Sequence, residues 1–393
     1  MVDLKLYCTR LLRFIRPNLH IFVRFGVRKS QKEKTILTQR ENDIMEKINV
    51  VVVGYGGMGG YHADKINGFE NFNLAGIYDI KPERCQYAES KGYNVYPSFE
   101  AVLEDKDVEL IVCAAYNDVH KDIAVAAMRA GKAVISEKPV TLCSEDLEEM
   151  IAVSEETGML FTVHQNRRWD NDYRMVKKFI ETNELGRIFA IDSKVYGSRG
   201  IPGDWRREKQ HGGGMVLDWG VHLLDQVLML NEGKKLKSVY STLTNVTNDE
   251  VDDGFRAILK FENGPECLVE VFTNNFIDAP RWYVCGENGT AVIEDWDLNG
   301  EIVKIKDWET IDAVPIQAGA GITKTMAPRT DETIKKFPLE KISVDWADYY
   351  NNIYDVLRNG AEPLITHDQQ RRLMKLMEAI FESAEKNEVI YFE

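Results

Sequence analysis

From Ile48 onward, short apolar runs alternate with longer stretches of helical period. The runs are Ile48–Val53, Leu74–Tyr78, Leu110–Cys113, Ala133–Ile135 and Leu160–Val163. Between them, Val119, Ile123, Ala126, Ala127 and Ala130 recur at helical spacing within Asp118–Ala130, which Gly131 ends. Ser144–Thr157 repeats the pattern, with Leu147, Met150 and Ile151 as its stripe and Ser144 as its N-cap. Strand and helix in alternation predict a parallel, doubly wound sheet.

The pattern changes after about Arg168. A helix over Tyr173–Thr182 and a strand over Ile188–Tyr196 lead, through a loop rich in Gly, Trp and Arg, to a strongly apolar helix at Met215–Leu230. Strand-like runs follow at Val239–Val246, Phe255–Phe261, Glu266–Phe272, Trp282–Cys285 and Thr290–Glu294. Asn263-Gly264, Asn288-Gly289 and Asn299-Gly300 punctuate them, which is hairpin chemistry. Residues 306–342 read as an irregular excursion, and helices near Val344–Asn359 and His367–Lys386 close the chain. The expected architecture is an α/β dinucleotide-binding domain over 45–167, of Rossmann type. An α+β domain over 168–393 follows, with a large, mainly antiparallel open sheet for substrate binding and oligomerisation.

Composition narrows the function classes. With 393 residues, 44% apolar and 28% charged, the chain suits two soluble globular domains. Its 63 acidic and 49 basic residues give −14 overall, which argues against a nucleic-acid partner. The first 44 residues stand apart, with ten Lys/Arg against four acids, a net of +6. They hold no apolar run long enough for a secretory core or a membrane span. Met45 opens the first strand as a compact domain often begins, so residues 1–44 are read as an extension outside the fold. Six scattered cysteines without a C-x-x-C pair indicate reduced thiols in the cytoplasm and no structural zinc.

Candidate chemistry begins at Gly54-Tyr55-Gly56-Gly57-Met58-Gly59, a G-x-G-x-x-G pattern between a predicted strand and a predicted helix. Gly54 and Gly56 permit a tight turn and let a pyrophosphate approach the backbone N–H groups of the helix start. Asp79, twenty positions beyond Gly59 at the end of the second strand, is placed for a ribose 2′-hydroxyl. A carboxylate there repels a 2′-phosphate, so NAD(H) is expected over NADP(H), a preference that nearby Lys81 tempers. Ser136-Glu137-Lys138-Pro139 directly follows the strand Ala133–Ile135, which aims Lys138 toward the nicotinamide half of the crevice. If Met215–Leu230 is helical, Asp218 and His222 stand at i and i+4 on one face, with Asp225 at i+7. Ionisable groups on so apolar a helix need partners or a task.

With Ala115-Tyr116-Asn117-Asp118-Val119-His120 and Gln165-Asn166-Arg167-Arg168, these motifs resemble the glucose–fructose oxidoreductase/inositol dehydrogenase (Gfo/Idh/MocA) family over about residues 46–300. The resemblance implies a catalytic set of Lys138, Asp218 and His222, and a cis Lys138–Pro139 bond. It implies cofactor contacts at Gly54, Gly56, Gly57, Met58, Gly59, Asp79, Asn117, His120, Glu137 and Lys138. It also implies a homo-oligomer, dimer, tetramer or larger. Tyr116 departs from the proline usual before the Asn.

Oxidising a secondary hydroxyl needs a base for its proton and a group that stabilises the developing alkoxide. His222, with its near-neutral ordinary pKa, suits the base. Lys138 suits the alkoxide, and Asp218 orients hydroxyls. No step demands a metal. The loop Tyr196–Arg207 sets Trp205 beside Arg206; with Arg168, Asp218 and His222 these are the expected substrate contacts. Aromatic faces beside charged donors point to a sugar, cyclic polyol or glycoside. Within the family, this loop resembles that of sugar and glycoside 3-dehydrogenases. Two other readings stay open. An NAD-dependent glycosidase would oxidise the sugar transiently and eliminate the aglycone; a non-catalytic NAD-binding regulator would have little use for Lys138, Asp218 and His222 together. No membrane partner is expected.

Overall fold

The computed structural model describes residues 46–309 and 314–393, so the expectation for residues 1–44 lies outside the described residues. The first sheet holds β1 (Ile48–Val53), β2 (Phe72–Tyr78), β3 (Leu110–Cys113), β4 (Ala133–Ser136) and β5 (Phe161–Val163), in the order β2-β1-β3-β4-β5. Every pairing in it is parallel. Val50, Val51 and Val52 are all fully buried, which is why β1 reads as an unbroken apolar run: both faces of a parallel sheet are covered. Strand order reverses at β1, with β2 on one side and β3 on the other. Ligands of this architecture bind beyond the carboxyl ends at that point. The Gly54–Gly59 turn, the loop after β3 and Glu137-Lys138 after β4 all begin there.

The helices of this half run Gly57–Ile66, Pro82–Ser90, Phe99–Glu104, His120–Arg129 and Ser144–Thr157. Three details differ from the sequence reading. Ser144 is the first helical residue after Cys143 instead of the cap, and its backbone N–H and hydroxyl both bond Glu378, each at 2.6 Å. The predicted Asp118–Ala130 helix opens as a 3₁₀ turn at Asn117–Val119. The helices at 82–90 and 99–104 escaped the reading because they are short and weakly patterned; Pro82–Ser90 buries only Ala88.

The second sheet takes β6 (Ile188–Tyr196), β7 (Leu236–Thr244), β8 (Gly254–Phe261), β9 (Glu266–Phe272), β10 (Trp282–Gly286), β11 (Gly289–Ile293) and β12 (Gly300–Ile305). The excursion at 306–342 is not wholly irregular. It holds a small hairpin of β13 (Ile316–Ala318) and β14 (Gly321–Thr323), then β15 (Ile334–Pro338), which pairs with β12 at the sheet edge. Lys335 and Lys336 conceal that strand, since an exposed edge carries charge. β16 (Ile390–Tyr391) closes the other edge, giving β15-β12-β11-β10-β6-β9-β8-β7-β16. Only β6 and β9 pair in parallel within this sheet. Helices Asn171–Glu181, Val221–Leu230 and His367–Lys386 pack against it. Ala347–Asn359 precedes the last of these, whose start carries a Thr366/Gln369 capping box.

Among the described residues, no helix is long and apolar enough to cross a membrane. Cys85, Cys113, Cys143, Cys267 and Cys285 are free thiols. The sheet leaves Tyr283 of β10 42% exposed and Arg256 of β8 half exposed. Exposed apolar surface on an open sheet face suits packing against another copy. A homo-oligomer is therefore expected by light scattering at micromolar concentration, and a monomer would refute it.

Candidate active site

The glycine turn divides into two kinds of position. Gly54 has φ +90°, and a Cβ there would collide with the backbone of Ala114 and Ala115 after β3. A Cβ at Gly59 would collide with the Gly54 carbonyl, so its absence lets the helix approach the strand. Gly56 and Gly57 are different: a Cβ on either would meet nothing within 4 Å. Their open side, beside the N–H groups that start helix 57–66, is the side from which a pyrophosphate can approach. Met58, beside them, is exposed. At the ribose end, Asp79 accepts from the Tyr55 N–H at 2.6 Å and the Lys81 N–H at 2.8 Å, so the acid also braces the turn. The Lys81 ammonium turns away to the Tyr116 hydroxyl at 2.9 Å. These residues fit a dinucleotide with a free ribose diol.

The second half of the site is built on a broken helix. Val216–Gly220 forms a π-helical turn and Val221–Leu230 continues as α-helix. Such turns recur at functional sites. The Lys138 ammonium donates to the backbone carbonyl of Asp218 within this turn at 2.9 Å and to its Oδ1 at 3.4 Å. Arg206 Nε donates to Oδ2 at 2.9 Å. The Lys138–Pro139 bond is cis. The start of the turn is anchored by Asp252, whose Oδ2 accepts from the N–H groups of Met215 and Val216, both at 2.9 Å. Burial pushes its carboxyl up to about 6 against those two bonds. No sequence motif marks Asp252; it lies just before β8 and acts as a cap from outside the helix.

Electrostatics separates the two groups on the turn. Burial pushes the Asp218 carboxyl up, but Lys138 and Arg206 outweigh it and hold the group below its ordinary value. For His222, burial comes first, and the cations Lys138 and Arg167 add to it, so the imidazole sits well below its ordinary pKa. It is neutral at pH 7. His222 is 5% exposed, and its Nδ1 is buried without a hydrogen-bond partner. A buried polar atom without a partner calls for an explanation, and on a candidate base a bound substrate supplies one.

Behind Lys138, its neighbour Glu137 centres a network that no local motif marks. Glu137 Oε1 faces His62 Nε2 at 2.7 Å and His164 Nδ1 at 2.8 Å, and Oε2 accepts from the Lys138 N–H at 3.2 Å. His62 Nδ1 meets the Tyr350 hydroxyl. Burial and the neighbouring His164 lower the His62 pKa. His62, Glu137 and His164 have the donor types of a metal site. Their spacings are those of hydrogen bonds to one shared oxygen, so the three satisfy each other. Their spread over 102 positions of sequence, from 62 to 164, left no local signal.

The expected site residues do not all converge. Arg168, an expected substrate contact, is held in a buried ion pair: its Nε and Nη2 donate to Asp225 at 2.7 and 2.6 Å, and Nη1 donates to Gln369 at 2.7 Å. Asp225 needed that partner on a buried helix. His120, expected at the cofactor, is fully buried, with Nδ1 against Pro139 O at 3.1 Å and Nε2 against Ala115 O at 3.2 Å. Its two nitrogens tie the loops after β3 and β4 together. The Asn117 amide donates to His211 O at 2.9 Å and Gly212 O at 3.3 Å, which joins the loop after β3 to the substrate loop. Tyr116 stacks on His211 at 4.6 Å. Trp205 stays beside the site, with the Arg206 guanidinium 4.7 Å over its ring.

Known proteins place this fold in a family. Residues 48–165 match the oxidoreductase family with an NAD-binding Rossmann fold, and residues 173–292 match the Gfo/Idh/MocA C-terminal domain. The scyllo-inositol 2-dehydrogenase (NADP(+)) IolW of Bacillus subtilis is 24% identical, over 89% of this chain and 97% of that one. The inositol 2-dehydrogenase of Salmonella typhimurium is 25% identical, over 78% and 82%. An NAD-binding protein from Listeria innocua has a solved structure with a TM-score of 0.86 and 47% identity, covering 88% of this chain and all of that one. The two matched regions span both domains, and the chain belongs to the Gfo/Idh/MocA family of NAD(P)-dependent oxidoreductases acting on CH–OH groups.

Proposed function

We propose that the protein oxidises a secondary hydroxyl of a sugar, cyclic polyol or glycoside to the ketone, C3 of a glycoside being one such position. The observation that carries this reading is the Lys138 ammonium held on the carbonyl and carboxylate of Asp218, on the same broken helix as the neutral His222. The cofactor, when bound, supplies the hydride acceptor. The chain's own residues do the rest. Lys138, a compact cation, takes the substrate oxygen and stabilises the charge that grows on it. His222, neutral, accepts the hydroxyl proton. Asp218, kept ionised by Lys138 and Arg206, holds Lys138 in place and orients neighbouring hydroxyls. Trp205 and Arg206 offer an apolar face and donors beside them. A screen of nicotinamide absorbance against sugars, inositols and glycosides, with the oxidised carbon read by NMR, tests the reading. Release of aglycone with no accumulation of NADH would replace it by the glycosidase.

Cofactor choice follows from Asp79. NAD(H) should bind more tightly than NADP(H), and Asp79→Ser should narrow the gap by about tenfold, because the carboxylate that repels a 2′-phosphate is gone. Fluorescence titration with the reduced cofactors measures it. Tighter binding of NADP(H) by the wild type would remove Asp79 from this role.

The pH profile has a definite sign. His222 works only when neutral, so a lowered pKa extends activity toward acid. The acid limb of kcat/KM should lie below the ordinary histidine value of ~6.5. Arg167→Met takes away one of the cations that depress His222 and should move that limb upward. A limb that stays fixed would assign the proton to another group.

A further inference from the structure

An aromatic path leads outward from His222. The Trp219 ring lies edge-on to His222 at 6.2 Å, and the Trp296 ring lies 6.1 Å from Trp219. The Arg167 guanidinium sits 4.3 Å over Trp219 and 5.5 Å from Trp296, and buried Arg281 is 5.2 Å from Trp296. Two cations thus lie against the Trp296 ring, while the residue stays 51% exposed. Its turn, between β11 and β12, is fastened by Asp295, which accepts from the N–H groups of Asp297 at 3.0 Å and Asn299 at 3.1 Å and from the Asn299 amide at 2.7 Å. A single exposed apolar side chain means little. An indole held this firmly, next but one to a candidate base, presents a prepared flat face. Its electron-rich surface suits the C–H face of a sugar ring. Arg167 Nη1 is engaged by Asp170 at 2.9 Å, and its Nε is buried without a hydrogen-bond partner among the described residues.

We propose that Trp296, with Trp219 and Arg167, forms a second carbohydrate subsite, so that the preferred substrate is a glycoside whose second sugar ring stacks on Trp296. The inference rests on the sugar-oxidising reading above and narrows its substrate class. The reacting ring lies at Lys138 and His222, and the ring joined to it through the glycosidic oxygen lies on the indole.

The test compares methyl α- and β-glucosides with maltose and cellobiose under NAD reduction. Wild-type enzyme should favour one of the disaccharides over its matching methyl glucoside by about five- to tenfold in kcat/KM. Trp296→Ala should bring the pair to parity through KM, leaving methyl-glucoside kinetics within about twofold, and Trp296→Phe should keep most of the preference. Equal rates in the wild type, or equal losses on both substrates in Trp296→Ala, would make Trp296 a cap on the arginines and overturn the proposal. Oxidation of inositols without any glucoside would overturn it too, yet leave the dehydrogenase reading standing. Turnover of neither would overturn both.

Discussion

His222→Ala should lower turnover by about 10²–10⁴, the usual worth of a positioned general base, while NAD binding stays nearly unchanged. The split follows from the proposed layout: the cofactor's phosphates and ribose are assigned to Gly54–Gly59 and Asp79, and His222 stands on the other domain's broken helix. Lys138→Ala should cost a comparable amount. The double variant should lose less than the product of the singles, because two groups acting on one O–H bond are not additive. Lys138→Arg should also fail. A planar fork cannot replace a compact ammonium that reaches both the Asp218 carbonyl and its carboxylate while facing a single substrate oxygen. Stopped-flow NADH formation and cofactor titration on the four variants measure both halves. If His222→Ala and Lys138→Ala oxidise sugars at near wild-type rates while Asp79 variants do not, the catalytic set lies elsewhere.

The parallel sheet was legible because its strands are buried on both faces and its loops carry their chemistry in short motifs: β1 and β3 run as the apolar pattern predicts. β15 was not, since an edge strand rich in lysine pairs through its backbone and leaves no alternation to see. In the candidate site, strand ends and helical spacing single out Lys138, Asp218 and His222, and the first two are in contact. A pair at i and i+4 shares a face in a regular α-helix, whereas Asp218 sits in a π-helical turn whose start is tied to Asp252, 34 positions further on. The same limit explains Arg168 and Glu137. Sequence marks them as charged residues in motifs, but only tertiary contacts decide that Asp225 consumes the arginine and that two histidines consume the glutamate. Local chemistry is readable along the chain; which partner neutralises a buried charge is a property of the assembled fold.

The glycine turn offers a sharper separation of folding from binding. Gly56→Ala should leave the melting temperature within about 2 °C of wild type, because its φ of −81° is open to any residue and an added Cβ meets no protein atom within 4 Å. NAD affinity should nevertheless fall by tenfold or more, since that same empty space is where the pyrophosphate must approach the helix N–H groups. Gly59→Ala should do the reverse in order of cause. Its Cβ runs into the Gly54 carbonyl, a backbone atom that cannot rotate away, so helix 57–66 must lift from the strand and the melting temperature should drop by about 10 °C. Loss of NAD binding then follows from the displaced turn. Thermal melts with and without saturating NAD decide the matter: the wild type gains stability from the cofactor by mass action, and Gly56→Ala should lose that gain while keeping its unliganded melting point. If Gly56→Ala shows the full cofactor-induced shift, the open side of the turn does not face the dinucleotide.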